Sequence, residues 1–146
     1  MSANVERVRD AYAAFARGDV AAVLGILDPD VAWVEAAGFP DTAGTHTGTD
    51  AVLREVFGPL DAGWDGFRAV PDRIIADAGA DAGADAGAVV VTGTYSGTAR
   101  RTGRSFEARF AHLWELRGGR VVRFEQIADT ATVCDALQAA PAQSSR

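Results

Sequence analysis

Val5, Val8, Tyr12 and Phe15 recur three or four residues apart near the start of the chain, with Ala11 on the same stripe. This spacing predicts an amphipathic helix over residues 3–17. Gly18 closes it, Asp19 is placed to cap a second helix over residues 20–27, and Pro29 prevents that helix from continuing. Val31, Trp33 and Glu35 alternate with Ala32 and Val34 as in a strand, before a loop rich in Gly, Pro and Thr over residues 38–48 that holds His46. Thr49 can cap a third helix with Val52, Leu53, Val56 and Phe57 on its buried side, which Gly58-Pro59 is expected to end.

From there to the last helix the pattern is that of strands. Residues 67–76 and 88–99 are β-rich runs separated by a threefold ADAG repeat over residues 76–87. Ala, Asp and Gly offer too little apolar area to offset the entropy of ordering, so the repeat is expected to be a mobile hairpin tip. Its acids Asp77, Asp81 and Asp85 lie four apart, too widely for a calcium loop of the EF-hand kind. Two further strands are expected over residues 104–116 and 120–128, then a helix capped by Asp129 or Thr130 and anchored by Val133 and Leu137. Residues 141–146 are expected to be a disordered tail, leaving one domain over residues 1–140. The order of elements is an α+β plan in which one curved antiparallel sheet wraps helices.

The last hairpin decides which side chains point inward. A two-residue Gly118-Gly119 turn pairs Arg117 with Arg120 and sets Phe110, His112, Trp114, Arg123, Glu125 and Ile127 on one face. The opposite face then carries Arg109, Ala111, Leu113, Val122, Phe124 and Gln126. A three-residue loop, 117–119, shifts the register by one and places His112 opposite Phe124; periodicity alone leaves both open.

Charge and composition narrow the classes of function. A formal net charge of −6 argues against a nucleic-acid partner, and the basic cluster Arg100, Arg101 and Arg104 flanks a Thr102-Gly103 turn signal, as at a solvated hairpin tip. The single cysteine, Cys134, excludes an intramolecular disulfide. No apolar run approaches the roughly 20 residues that span a bilayer, and the N-terminus lacks a signal-peptide segment, so a soluble, cytoplasmic protein is expected. The two histidines lie on different elements without zinc-ligand spacing. There is no phosphate-cradling glycine motif, nucleophile elbow or paired cysteine ligand set, so no cofactor is implied.

Three segments in order, AYAAFARGDVAAVLGILDPDVAWVE, HTGTDAVLREVF and GRSFEARFAHLWELRGGRVVRFEQIADT, resemble the nuclear transport factor 2 superfamily, and within it the SnoaL-like domains related to polyketide cyclases and ketosteroid isomerases. The resemblance covers nearly the whole chain and implies a cone-shaped domain with a ligand cavity. It places Glu35 where the isomerases carry their proton-abstracting carboxylate, but Ala11 and Ala111 where they carry the tyrosine and the neutral acid that polarise a carbonyl, which argues against a steroid isomerase. It places Asp129 at the catalytic aspartate of SnoaL-type cyclases; Asp before Thr-Ala-Thr is also an ordinary helix cap. It favours the Gly118-Gly119 register, which directs Arg109 inward to bind a carboxylate or enolate and turns Phe110, His112 and Trp114 outward as a homodimer face.

The expected site therefore has Asp129, Glu35 and Arg109 as catalytic groups and Trp33, His46, Leu113, Phe124, Gln126 and Tyr12 against a small apolar ligand such as a polyketide. The expected chemistry is cofactor-free isomerisation, cyclisation, dehydration or epoxide hydrolysis. The alternative is a binding or assembly module with the same fold.

Overall fold

A computed structural model of the chain describes residues 2–77 and 86–139. The expected ADAG tip, apart from its first and last residues, and the expected tail lie outside the described residues.

Helix α1 (Ala3–Ala16) is capped by the Ser2 hydroxyl, which accepts from the Val5 N–H, and α2 (Val20–Gly25) by Asp19, which accepts from the Ala22 N–H. Strand β1 (Leu27–Glu35) begins four residues earlier than the Val31 start read from the alternation. Strand β2 (Gly44–Thr47), read from the sequence as loop, pairs antiparallel with it, Trp33 opposite His46 and Glu35 opposite Gly44. Helix α3 (Thr49–Val52) does not end at Gly58-Pro59. It widens into one π-helical turn, Leu53–Phe57, whose last carbonyl bond runs from the Gly58 N–H to Leu53, and then continues as α4 (Gly58–Gly63). Pro59 is tolerated because it stands in the first turn of α4, where no N–H is needed.

Among the described residues the remaining strands are β3 (Trp64–Ala76), β4 (Ala86–Ala99), β5 (Ser105–Arg117) and β6 (Arg120–Ala128), followed by α5 (Thr130–Asp135). The sheet order is β2-β1-β6-β5-β4-β3, with β1 and β6 parallel and every other pair antiparallel. The sheet is open and curves around α1, whose Val5, Val8, Ala11, Tyr12 and Ala14 are buried against it.

The last hairpin corrects the expected faces. Gly118 and Gly119 both take positive φ and Arg117 pairs with Arg120, as a two-residue primed turn requires. Leu116 then pairs with Val121 but Glu115 with Arg123, so Val122 is the extra residue of a β-bulge. Beyond it the register has moved by one, His112 facing Gln126 and Trp114 facing Phe124. The inner face is therefore Phe110, His112, Trp114, Phe124 and Gln126, all buried. Phe110, His112 and Trp114 are not an outer dimer face, and Arg109 and Leu113 do not point inward. The outer face carries Arg109, Ala111, Leu113, Arg123, Glu125 and Ile127, with Arg123 paired to Glu115 and Glu125 instead of lying over Trp114.

Candidate functional site

The hollow between α1, the α3–α4 segment and the sheet is a cavity of about 60 Å³. Its wall is largely aromatic, formed by Phe15, Trp33, Phe57, Phe67, Trp114 and Phe124, with Tyr12, Tyr95, His112, Gln126 and Glu35 as its polar groups. A surface depression of about 590 Å³ shares Phe15, Phe57, Leu60 and Phe67 with it, so these four side chains stand between the two.

The polar groups form a continuous hydrogen-bonded chain. The Trp114 indole donates to the Tyr12 hydroxyl at 3.0 Å, the hydroxyl meets His112 Nδ1 at 2.5 Å, and His112 Nε2 meets the Tyr95 hydroxyl at 2.5 Å. Gln126 Nε2 donates to the same Tyr95 oxygen at 2.9 Å. Gln126 cannot be turned the other way, because its Oε1 accepts from the Ala36 backbone N–H at 3.0 Å. Burial pulls the His112 pKa down to about 3, so the ring is neutral and carries a single N–H. Burial likewise holds both phenols protonated, Tyr12 and Tyr95 titrating well above the usual tyrosine range.

These protonation states leave one proton over. The links from Trp114 to Tyr12 to His112 to Tyr95 to Gln126 need one hydrogen each, while the indole, the two phenols, the neutral imidazole and the amide N–H supply one hydrogen more than the links use. If Tyr12 donates to Nδ1, then Nε2–H donates to Tyr95 and the Tyr95 O–H is spare. In the other tautomer the Tyr12 O–H is spare. Both phenols line the cavity, so in either state one O–H is available to an acceptor placed inside it.

Glu35 ends β1 at the same cavity and is 4% exposed. Its Oε2 accepts from the Trp33 indole at 2.9 Å and its Oε1 from the Thr42 hydroxyl at 2.8 Å. Thr42 follows Asp41, whose left-handed backbone (φ 67°) turns the chain back toward Glu35. Burial pushes the Glu35 carboxyl above the usual carboxylate range, against the Thr42 and Trp33 bonds, the nearby His46 charge and the Gln126 amide, all of which favour the ion. A carboxyl so placed can take up and release a proton closer to neutrality than an exposed glutamate.

The site residues expected from the sequence divide into two groups. Tyr12, Trp33, Glu35, Phe124 and Gln126 are brought together around the cavity. His46 is buried on β2 opposite Trp33 and does not line the cavity. Leu113 and Arg109 are on the outer face, where Arg109 pairs with Asp72 and reaches Thr94 at 3.1 Å. Asp129 is exposed and caps α5, accepting from the Thr132 N–H at 3.2 Å and from its hydroxyl at 2.6 Å, which hold it below the usual carboxylate range. The bulge at Val122 explains Arg109 and Leu113. Cap geometry explains Asp129.

Tyr95 and His112 are cavity groups that sequence reasoning missed. For His112 the signal is the alternation Phe106, Ala108, Phe110, His112, Trp114, Leu116, set against Glu107, Arg109, Glu115 and Arg117 on the other face, which marks the aromatic face of β5 as inward; Tyr95 stands on β4. Among the described residues no group of three or more His, Cys, Asp or Glu could hold a metal ion.

The profile of the SnoaL-like domain matches residues 8–124. Among solved structures, an NTF2-like protein from Burkholderia thailandensis is 42% identical over 94% of this chain and 98% of its own, with a TM-score of 0.83. An NTF2-like protein of unknown function from Burkholderia pseudomallei is 35% identical over 95% and 100%, with a TM-score of 0.82. TerC, co-crystallised with polyporic acid, is 29% identical over 93% and 98%, with a TM-score of 0.79. Among curated proteins none matches the chain.

Proposed function

The chain belongs to the SnoaL-like domain family, and from that premise we propose that it is a cofactor-free acid/base enzyme that moves a proton at a carbon beside a carbonyl group of a small, flat, apolar metabolite of secondary metabolism. The observation that carries this reading is the spare phenol O–H in the same aromatic cavity as Glu35. A carbonyl oxygen accepting that O–H draws electron density from its carbon, the neighbouring C–H becomes more acidic, and Glu35 takes the proton as general base. Returning the proton at another carbon gives isomerisation. Attack of the enolate carbon on a second carbonyl, whose oxygen takes the proton back from Glu35, gives cyclisation, and departure of a β-hydroxyl as water with that proton gives dehydration. Tyr12 or Tyr95 holds the oxygen, His112 and Gln126 orient the two phenols, and Trp33 and Phe124, stacked at 3.8 Å, supply the flat wall. Arg109 and Asp129 have no part in these steps.

The cavity is small beside the roughly 300–1,000 Å³ of ligand pockets, so entry requires Phe15, Phe57, Leu60 or Phe67 to move aside. The π turn that carries Phe57 is a natural place for that movement. The enzyme acts in the cytoplasm as a homodimer joined through the outer sheet face, where Val90, Leu113, Ala111 and Ile127 form an apolar centre between the Arg109–Asp72 and Arg123–Glu125 pairs.

A matched pair of probes tests the spare donor. 2-Tetralone is expected to bind about ten-fold more tightly than tetralin, the worth of one buried hydrogen bond. The preference is expected to vanish when Tyr12→Phe and Tyr95→Phe are combined. Equal binding of ketone and hydrocarbon to the wild-type protein overturns the assignment.

A further inference from the structure

His46 lies outside the cavity, and both of its ring nitrogens face acceptors. Nε2 is 2.6 Å from the Thr42 carbonyl oxygen, which can only accept, so Nε2 bears a hydrogen. Nδ1 is 2.7 Å from Oε1 of Glu55, a half-exposed carboxylate carried by the π turn. Imidazole is the stronger base of that pair, so the shared proton resides on Nδ1. A ring that donates from both nitrogens is an imidazolium. The Thr42 whose carbonyl it grips is the same residue whose hydroxyl donates to Glu35.

We propose that His46 is a positioning residue for Glu35: a doubly protonated ring, clamped between Thr42 and Glu55, fixes the turn that aims the Thr42 hydroxyl at Glu35 and supplies the positive charge that sets how readily Glu35 ionises. This rests on the reading of Glu35 as the base and adds its control. His46 sits opposite Trp33 across the β1–β2 pair, two residues along β2 from the Gly44 that faces Glu35, so its side chain shares the face of the carboxyl it influences. The groups that face it are Glu35 from β1, Glu55 from the π turn and the Thr42 carbonyl from the connecting turn. Glu35 is faced in addition by Trp33 on its own strand, Tyr95 from β4 and Gln126 from β6.

Burial works against the charge on His46, but the bonds to Glu55 and Thr42 and the charges of Glu55 and Glu35 outweigh it and hold the ring above the usual histidine range. The influence is reciprocal: the imidazolium stabilises the Glu35 carboxylate, and the carboxylate stabilises the imidazolium. As pH rises through the His46 transition, Nδ1 loses its proton, because Nε2–H stays on the carbonyl. The cation disappears, and Glu35 becomes a stronger base that is harder to ionise. The distal Glu55 therefore reaches the reacting proton through His46 and the turn.

The test is a pH titration of the full chain followed by NMR, with labelled histidine rings and glutamate carboxyls; only two histidines need assignment. Near neutral pH, His46 is expected with both nitrogens protonated and His112 with one. The Glu35 carboxyl signal is expected to show a second inflection at the His46 midpoint. Glu55→Gln is expected to lower the His46 midpoint by about one pH unit and to carry the Glu35 inflection with it. His46→Gln is expected to abolish that inflection and raise the midpoint of Glu35 itself. Glu55→Gln, at a half-exposed side chain, carries the test without altering the turn. A singly protonated His46 near neutral pH, or Glu35 curves that coincide in wild type and Glu55→Gln, overturns the proposal. These readings involve no substrate, so they can fail while Glu35 remains the base, and they can hold if turnover shows that it is not.

Discussion

A carboxyl whose pKa is raised by folding favours the folded state in its protonated form. For Glu35 the stability that follows is complete below the ordinary glutamate pKa of about 4.3 and is lost as pH rises through the higher folded value. Glu35→Gln, which cannot ionise, therefore gains on the wild type with rising pH, by about 1.4 kcal/mol for each pH unit between the unfolded and folded transitions. Urea unfolding of both proteins across the acid to neutral range reads this difference. Its slope is the signal, because glutamine also sets its amide hydrogens against one of the two donors, Trp33 and Thr42, at every pH. His112 has the opposite sign. Its folded pKa near 3 means stability is retained above the ordinary histidine value and lost as pH falls from there toward 3. Tyr12 and Trp33 were legible from apolar spacing, and Glu35, Phe124 and Gln126 as pocket residues only through the resemblance to the SnoaL-like domains. Tyr95 and His112 were not, since a neutral histidine among aromatics becomes a site only when its partners are known.

At the level of elements, one inserted residue decides which face of β5 is inside. The Gly118-Gly119 turn was readable from the sequence, but Val122 was not readable as a bulge, since Val121-Val122 continues the β pattern without a break. The bulge lets Phe124 and Gln126 share a face with His112 and Trp114, and it sends Arg109 out to Asp72. The same sheet contains a second device at Gly93 in β4. A Cβ there would lie 2.3 Å from the Val70 carbonyl oxygen and 2.5 Å from Cζ of Phe110, whose ring stacks on His112 at 4.1 Å. Gly93→Ala is thus expected to destabilise the protein by about 1–3 kcal/mol, because backbone must shift to admit the methyl group. A fall in denaturation midpoint checks this, and an unchanged midpoint would mean the contact is soft. The β2 strand escaped notice for another reason: four mostly polar residues at a sheet edge carry no alternation to read.

For the whole molecule, the order of helices and strands was legible from hydrophobic spacing and capping residues, and the curved sheet follows from it. The outer face was misassigned, and its true composition changes the assembly that it supports. Ile75, Val90 and Leu113 stand side by side on β3, β4 and β5, and Ile127, 60% exposed, lies beside Ala111, so that face carries apolar side chains among its ion pairs. Sedimentation is expected to give a dimer for the wild type and a folded monomer when Leu113→Glu and Ile127→Glu are combined. A wild-type monomer would contradict the dimer. Among the described residues no helix is long and apolar enough to cross a membrane. In the proposed reaction Glu35 and the spare phenol hydrogen together labilise a C–H beside a carbonyl. The most direct measurement is deuterium uptake by 2-tetralone in heavy water, followed by NMR with catalytic amounts of protein. Exchange is expected to be faster than in buffer alone and to fall about 10²-fold or more in Glu35→Gln. Exchange that matches buffer, or a Glu35→Gln variant as fast as the wild type, would contradict it and leave a binding module in its place.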